Sequence, residues 1–270
     1  MTIKEEEVLV SIIDHVATVT LNRPRKGNAL TASMNEKLLT ILPQLAEDPQ
    51  VRVLVLTGAG KYFCSGMDLS ASGGGMDPEA IRSGFQKGLQ VFDAFHRFPK
   101  PVIARVNGPA LGGGVGLVFT TDIRVAVSDS YFALTEVKRG IIPAIISQYI
   151  VPELGIQKTR EYMLTGRRVP ATEATFLSKR CNTVSELDEG VRDYVTMLME
   201  SAPGAMANIK TLIDGIATGA DGDRDARVKN HVQNAYLEMM QSEEAAYGIM
   251  SFLSKKKPDW TAFLADKAKL

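Results

Sequence analysis

The stretch Leu111-Gly112-Gly113-Gly114 lies between a strand predicted at residues 102–106 and an apolar helix predicted at residues 113–121. A second glycine turn, Cys64-Ser65-Gly66-Met67-Asp68, follows a strand predicted at residues 51–57. Consecutive glycines reach backbone angles that other residues avoid, so their N–H groups can turn toward a ligand. A helix N-terminus adds unpaired N–H donors and a positive dipole end. Two such N–H groups meeting at one oxygen would stabilise an enolate or a tetrahedral oxyanion.

Outside these turns, the pattern alternates strands and helices before becoming helical. Strands are expected at residues 8–10, 16–21, 51–57, 102–106, 123–127 and 182–184. Helices are expected around Met34, Leu38, Ile41 and Leu45, at residues 78–98 and 113–121, through most of residues 147–177, and in a long stretch at residues 223–255. The glycine- and serine-rich residues 70–80 are expected to form a surface loop over a site. This order predicts an α/β fold with an all-helical C-terminal third.

The composition is that of an ordinary globular protein and excludes several function classes. Hydrophobic residues make up 45%, and 31 basic side chains balance 31 acidic ones. No global positive field is therefore expected to collect nucleic acid or an anionic membrane. No apolar run reaches membrane-spanning length. Two cysteines and three scattered histidines predict neither a disulfide framework nor a metal site.

The run Gly58-Ala59-Gly60-Lys61 after a strand does not form a nucleotide-binding loop. A phosphate loop needs glycine at position 55 and serine or threonine at position 62, where the chain has Val55 and Tyr62. The dinucleotide fingerprint also fails, because Phe63 and Leu117 stand where glycine is required. These glycines are therefore expected to do something other than hold a nucleotide's phosphates.

Several segments together resemble the crotonase family, the enoyl-CoA hydratase and isomerase superfamily. They are residues 22–24, 27–30, 56–58, 63–69, 100–104, 106–116, 122–124 and 132–143. They cover most of residues 8–185, in the family's order and spacing. Without the resemblance, the glycine triplet would more readily be explained by tight packing of a helix on a strand. With it, an oxyanion hole is the favoured interpretation.

The resemblance implies a crotonase-like spiral of ββα units followed by a helical C-terminal oligomerisation region. We expect the spiral core at residues 1–200 and the helical trimerisation region at residues 201–270. Trimers pair into hexamers in many relatives, so a homotrimer or hexamer is the expected assembly.

The resemblance also implies a set of residues that bind an acyl-CoA thioester. The amides of Met67 and Gly113 correspond to the oxyanion hole. The residues expected on the coenzyme A path are Lys26, Asn28, Ala29 and Leu30. Those expected around the thioester are Ser65, Met67, Asp68, Leu69, Ser70 and Gly113. Lys255 matches a lysine that reaches the nucleotide phosphates from a neighbouring subunit. For Lys26 and Lys255, a solvated surface charge is the alternative. No cofactor is expected, because coenzyme A enters as part of the substrate.

Glu136 corresponds to one of the family's two acid–base carboxylates. Its apolar neighbours at residues 141–143 are expected to raise its pKa into a useful range. The second carboxylate position corresponds to Gly116, which is a departure from the two-carboxylate hydratases. Either Glu136 works alone or an acid comes from elsewhere. Asp68 is the weaker candidate, since capping the chain after Met67 explains it better.

The resemblance implies an enoyl-CoA hydratase, and it is closest to the methylglutaconyl-type group, the hydratases of branched or carboxylated enoyl-CoA esters. A Δ3,Δ2-enoyl-CoA isomerase, which needs a single base, is the second interpretation. A non-catalytic member of the fold that binds acyl-CoA or RNA is the third. RNA binding requires a basic surface with interleaved aromatic residues, and aromatic residues make up only 7% of this chain.

The last three residues, Ala268-Lys269-Leu270, resemble the Ser-Lys-Leu peroxisomal address. An import receptor is therefore an expected partner and the peroxisome the expected location. The alternative is an accidental basic tail, in which case the expected location is the cytoplasm.

Overall fold

The computed structural model describes residues 6–71, 77–218, 222–258 and 263. The centre of the loop expected at residues 70–80 and the C-terminal tripeptide at residues 268–270 lie outside the described residues. Within the described ranges, no helix combines the length and the apolar character that a membrane crossing requires.

The strands form a larger and a smaller sheet. Their bounds are β1 (Val8–Ile13), β2 (Val16–Leu21), β3 (Val53–Gly58), β4 (Val102–Val106), β5 (Ala110–Leu111), β6 (Ile123–Val127), β7 (Tyr131–Ala133), β8 (Val169–Pro170) and β9 (Lys179–Cys181). The larger sheet has the order β1-β2-β3-β4-β6-β9, and all its pairs are parallel except β1 with β2. The smaller sheet has the order β5-β7-β8. Every residue of β3 is buried, as expected for a central parallel strand covered on both faces.

The helices cover both faces of the larger sheet. They are α1 (Ala32–Glu47), α2 (Pro78–His96), α3 (Gly113–Phe119), α4 (Ala144–Thr165), α5 (Val184–Met199), α6 (Pro203–Thr218), α7 (Gly222–Met240) and α8 (Glu243–Leu253). Side chains of α1 to α4, such as Met34 and Phe85, share one apolar core with Leu54 and Leu56 of β3. Residues of α5, such as Leu187, pack against the other face of the sheet. Successive residues of a strand point to opposite faces, so β3 contributes to both cores.

The chain winds as a spiral whose successive turns lie side by side next to the smaller sheet. Beside the smaller sheet, Leu30 pairs with Met67 and Cys64 pairs with Ala110, both in parallel. The strand β5 then pairs in parallel with β7. Consecutive turns of the spiral therefore lie next to one another along this edge. The predicted α/β architecture with a helical C-terminal region is confirmed.

The three largest differences from the prediction are in the C-terminal half of the chain. The last strand of the larger sheet is β9, not residues 182–184, because the Thr183 hydroxyl accepts a hydrogen bond from the Glu186 N–H and begins α5 there. The helix expected through residues 147–177 ends at Thr165, where Gly166 adopts a left-handed conformation (φ +54°). The long helix expected at residues 223–255 is two helices, since Ser242 caps a new one after Met240.

Candidate active site

The two glycine turns lie side by side because backbone hydrogen bonds join them. The Leu111 N–H donates to the Cys64 carbonyl at 2.9 Å, and the Leu30 N–H donates to the Gly66 carbonyl at 2.8 Å. The Asp68 N–H donates in turn to the Leu30 carbonyl at 2.9 Å. The positions of both turns are therefore fixed by the spiral.

Glycine is required at two positions of these turns for different reasons. Gly112 has a φ of +51°, a left-handed conformation that other residues rarely adopt. A β-carbon on Gly114 would overlap the carbonyl oxygen of Cys64 and would lie 2.9 Å from its carbonyl carbon. Only glycine therefore allows α3 to begin this close to the first turn.

The backbone nitrogens of Met67 and Gly113 are close neighbours. A β-carbon built on Gly113 would lie 3.7 Å from the Met67 nitrogen, and one built on Gly66 would lie 3.3 Å from the Gly113 nitrogen. Neither N–H has an acceptor among the described residues. Both residues line the same cavity. The arrangement supplies two unpaired backbone donors to one space, as an oxyanion hole requires.

This cavity has a volume of about 530 Å³ and is mainly apolar. Its apolar wall contains Phe92, Ile141, Ile142, Pro143, Ala144, Ile145, Ile146, Tyr236, Met239, Met240, Ile249, Phe252 and Leu253. Volume and character fit a medium-sized organic ligand.

The C-terminal helices supply one side of the cavity. The Met239 sulfur on α7 accepts a hydrogen bond from the Ile142 N–H at 3.0 Å. On α8, Gly248 packs so closely that a β-carbon there would overlap the carbonyl oxygen of Arg139. These contacts hold both helices against the segment that follows β7.

Glu136 lies next to the glycine turns in a short 3-10 helix, Glu136–Arg139. The Gly112 N–H donates to the Ala133 carbonyl at 2.9 Å, which brings this segment alongside. A β-carbon on Gly112 would lie 3.0 Å from Glu136 Oε1. The carboxyl group is therefore adjacent to the Gly113 amide.

The Glu136 carboxyl group is poorly solvated. The residue is half-buried, but its Oε2 atom is shut off from solvent and has no hydrogen-bond partner among the described residues. Burial raises the pKa of Glu136 to about 7, although its own backbone N–H and nearby Arg139 act in the opposite direction. The carboxyl can thus take up or release a proton near neutral pH.

The space beside Gly116 is filled by apolar side chains. A β-carbon at this position would overlap Cγ2 of Ile146 and would lie 2.9 Å from Cε1 of Phe92. No second carboxylate can be accommodated at position 116 without moving these side chains.

Asp68 lines the cavity, but its carboxylate is held by its neighbours. It accepts hydrogen bonds from the Ser70 hydroxyl at 2.6 Å and the Ser70 N–H at 3.1 Å, and its Oδ2 lies 3.0 Å from Arg23 Nη1. The Ser70 hydroxyl and Arg23 lower the pKa of Asp68. These contacts fit the capping role.

Burial raises the pKa of the Cys64 thiol to about 12, so Cys64 is not a nucleophile at neutral pH.

The structure brings most of the predicted site residues to the cavity. Those that line it are Lys26, Ala29, Ser65, Met67, Asp68, Leu69, Ser70, Gly113 and Glu136. Asn28, Leu30 and Lys255 do not. The buried Asn28 amide donates to the carbonyls of Ala59 and Tyr62 and so holds the loop, and Leu30 is buried in the core. Lys255 is exposed after the end of α8.

Sequence reasoning missed Phe92, Arg139 and the side chains of α7 and α8 that line the cavity. Arg139 follows Glu136 by three residues, and this proximity was a signal that could have been used. The helical residues, such as Met239 and Phe252, have no local motif. Only the packing of the C-terminal region on the core places them at the cavity.

Comparison with known proteins agrees with this geometry. Residues 12–262 match the model of the family described as enoyl-CoA hydratase/isomerase. The chain is 38% identical over 249 residues to the enoyl-CoA hydratase ACTT6 of Alternaria alternata, which covers 90% of this chain and 80% of that protein. It is 33% identical over 251 residues to carnitinyl-CoA dehydratase of Escherichia coli K12, covering 91% of this chain and 94% of that protein.

A solved structure shares the fold at comparable similarity. The crystal structure of an enoyl-CoA hydratase from Mycobacterium avium superimposes with a TM-score of 0.81 at 30% identity, covering 95% of this chain and 100% of that chain. The match to the family model, the relatives and the shared fold all agree. The chain therefore belongs to the enoyl-CoA hydratase/isomerase family within the crotonase superfamily, and it is an enzyme of hydratase or isomerase type.

Proposed function

We propose that this enzyme adds water across the 2,3 double bond of a branched enoyl-CoA, or removes water in the reverse direction. The proposal rests on one observation. A carboxyl group with a pKa of about 7 lies beside two unpaired backbone donors in an apolar cavity.

The backbone amides of Met67 and Gly113 would bind the thioester oxygen. As water adds to the β-carbon, electron density moves onto this oxygen and an enolate forms. Each backbone donor that meets the developing charge is typically worth about 3 kcal/mol of barrier. Since both donors belong to the fixed glycine turns, they need no reorganisation during the reaction.

Glu136 would carry out both proton transfers. In its ionised form it takes a proton from the attacking water, so that the hydroxyl oxygen bonds to the β-carbon. The protonated carboxyl then gives a proton to the α-carbon of the enolate, which restores the ionised form. A pKa near 7 suits a group that must act first as base and then as acid.

The names of the relatives support hydration or its reverse. The Alternaria alternata protein is named an enoyl-CoA hydratase and the Escherichia coli protein a dehydratase. The apolar side chains of the wall, which include Ile142 and Phe252, support an acyl chain as the bound group, and the resemblance to branched enoyl-CoA hydratases supports branching.

Isomerisation of a 3-enoyl-CoA to a 2-enoyl-CoA is the second candidate. It is favoured by the apolar filling beside Gly116, because Ile146 and Phe92 occupy the place where a second carboxylate would help hold water. In this reaction Glu136 would remove a proton from the α-carbon and return it to the γ-carbon, without using water.

Product analysis distinguishes the two reactions. The enzyme is incubated with straight and branched 2-enoyl- and 3-enoyl-CoA esters, and the products are identified by mass. We expect a gain of one water molecule on a branched 2-enoyl ester. An unchanged mass with a shifted double bond would establish the isomerase. No conversion of any ester would reject both.

We also propose a homotrimer or hexamer located in the peroxisome. The exposed apolar side chains of Ile209, Leu212 and Ile213 on α6 support a subunit interface. The location is supported by the tripeptide at residues 268–270 alone. Light scattering tests the assembly, and a fluorescent fusion with and without the tripeptide tests the location.

A further inference from the structure

The guanidinium group of Arg124, a residue of β6, lies at the C-terminal end of α3. Its Nε donates to the Val118 carbonyl at 2.9 Å, and its Nη2 donates to the carbonyls of Phe119 at 3.2 Å and Thr121 at 3.0 Å. The centre of the guanidinium also lies 4.7 Å from the centroid of the Phe119 ring. Arg124 therefore caps the C-terminal carbonyls of the helix that begins at Gly113.

The same guanidinium group forms a two-pronged ion pair with Glu153 of α4. Its Nη2 donates to Glu153 Oε1 at 2.8 Å, and its Nη1 donates to Glu153 Oε2. The Arg124 side chain is only 7% exposed, whereas that of Glu153 is 41% exposed. The buried arginine thus joins the end of α3 to α4, and the bidentate geometry orients the guanidinium.

The helix between this cap and the candidate oxyanion hole is short and closely packed. It has seven residues, Gly113–Phe119, or about 10 Å of helix. A β-carbon on Gly114 would overlap the Cys64 carbonyl oxygen, and one on Gly116 would overlap Ile146 of α4. Because neither contact leaves free space, a shift at the C-terminal end of α3 also shifts its first residue.

The Gly113 N–H depends on this placement for its direction. It has no acceptor among the described residues, so no hydrogen bond of its own fixes the angle at which it enters the cavity. Arg124 is not among the residues that line the cavity, so it can influence this donor only through α3.

We propose that Arg124 is a positioning residue for the candidate oxyanion hole, acting through α3 to hold the Gly113 N–H at the distance and angle that the thioester oxygen requires. Glu153 holds the guanidinium in place for this task. The inference rests on the proposed function, because it assumes that the Gly113 amide binds that oxygen. Hydrogen bonds weaken steeply as their angle departs from linear, so a small shift of α3 reduces catalysis even where the fold is retained.

The stretching band of a bound thioester carbonyl tests this role directly. A saturated acyl-CoA labelled with ¹³C at the thioester carbon is bound to each protein, and its carbonyl band is measured by isotope-edited infrared difference spectroscopy. Donors that meet the carbonyl oxygen weaken its C=O bond and move the band to lower wavenumber. The variants are Arg124→Met, Arg124→Lys and Glu153→Gln, and kcat, the Kd of the saturated ester and urea unfolding are measured for each.

Arg105→Met is the matched control. Arg105 of β4 is also a largely buried arginine, and its Nε lies 2.7 Å from Asp188 of α5. It therefore joins the sheet to a helix, as Arg124 joins two helices, but α5 packs on the other face of the sheet. Neither Arg105 nor Asp188 is among the residues that line the cavity.

We expect the wild-type enzyme to lower the carbonyl frequency relative to the free ester. Arg124→Met should reverse most of this shift and lower kcat by about tenfold to a hundredfold, the usual result of a displaced catalytic group. The Kd of the saturated ester should change little, since the donor acts mainly on charge that develops in the transition state. Arg124→Lys and Glu153→Gln should give intermediate shifts, because each keeps part of the cap or of the ion pair. Arg105→Met should keep the wild-type band and kcat even if it loses as much stability.

Two results would overturn the inference alone. One is a wild-type band that Arg124→Lys and Glu153→Gln both retain, which decides the question even if Arg124→Met does not fold. The other is an equal change of band and kcat in Arg105→Met and Arg124→Met, which would trace the effect to lost stability. A wild-type band at the frequency of the free ester would reject the oxyanion hole of the proposed function and this inference with it. A failed product assay together with a band that depends on Arg124 would reject the proposed reaction and leave the positioning role standing.

Discussion

The glycine turns and the segment around Glu136 meet at one cavity but differ in how their polar groups are paired. In and beside the turns, the Leu30, Leu111 and Asp68 N–H groups all donate to backbone carbonyls, whereas the Met67 and Gly113 N–H groups have no acceptor among the described residues. In the Glu136 segment, two charged side chains each bury an atom without a partner.

This difference distinguishes the glycine turns, whose backbone is held by hydrogen bonds, from the Glu136 segment, which buries side-chain atoms without a partner. Buried polar groups in proteins are almost always paired, so each exception calls for an explanation. Paired backbone groups hold the turns rigid, which makes the two free amides well-placed donors. The unpaired Oε2 of Glu136 and Nε of Arg139 instead leave this segment with buried polar atoms that the described residues do not satisfy.

The largest expected effect comes from removing the acid–base group while keeping its shape. Glu136→Gln should lower kcat by about 10²–10⁴, the usual contribution of a positioned acid–base group. Binding of a saturated acyl-CoA should change little, since the amides of the turns remain. Steady-state kinetics measure kcat, and calorimetry measures the affinity for the saturated acyl-CoA. Near-normal turnover would show that Glu136 is not the acid–base group.

The same variant should be more stable than the wild-type enzyme at high pH. Folded Glu136 keeps its proton up to about pH 7, whereas an unfolded glutamate releases it near its ordinary value of 4.5. Between these values the folded chain binds more protons, so its free energy of unfolding falls as the pH rises.

Glu136→Gln removes this titration. Its gain should be absent below about pH 4.5 and should reach at most about 3 kcal/mol above pH 7. Urea unfolding at pH 4.5 and pH 8 measures it. A gain of equal size at both pH values would show that titration is not the cause.

A substitution in the glycine turns should lower the free energy of unfolding as well as the activity. Gly114→Ala places a methyl group on the Cys64 carbonyl, and overpacking of this kind typically costs about 1–3 kcal/mol. Gly84→Ala is the matched control, because nothing lies within 4 Å of its added β-carbon in α2. The control should gain up to about 1 kcal/mol from helix propensity. Equal destabilisation of both variants would contradict the close approach at Gly114.

The smallest expected effect concerns Asp68. If its carboxylate only holds Ser70 and Arg23, Asp68→Asn should lower kcat by less than about tenfold, well below the usual effect of a lost acid–base group. Steady-state kinetics of Asp68→Asn and Glu136→Gln, measured side by side, compare their kcat values. A loss as large as that of Glu136→Gln would make Asp68 the second acid.

The fold and one half of the site could be predicted from local sequence signals. The apolar spacing of Met34 and Leu38 indicates a helix, and a glycine triplet between a strand and a helix indicates a tight turn. The buried run at β3 gives the centre of the sheet. These features depend on short-range periodicity and on backbone conformation, which the sequence carries directly.

The other half of the site depends on contacts between distant segments. Nothing near Phe252 or Met239 indicates that they lie beside Arg139 and Ile142, since only the packing of α7 and α8 brings them there. The sequence does not predict the break between these helices, because the residues on both sides are compatible with a helix and a serine alone does not identify a cap. Asn28 and Leu30 were expected on the coenzyme A path because they lie in the matching loop. The sequence does not show that their side chains are buried in the protein.

The packing at Gly116 constrains how this enzyme could evolve. Introducing a glutamate there first would pass through an intermediate in which the new side chain collides with Ile146 and Phe92. Shortening Ile146 first would remove the closest contact, but the Ile146 β-carbon at 2.8 Å and Phe92 Cε1 at 2.9 Å would still crowd the new side chain. Substitutions at positions 116, 146 and 92 are therefore expected to depend on one another. A one-carboxylate lineage of this kind is held in place by its neighbours as much as by the chemistry it performs.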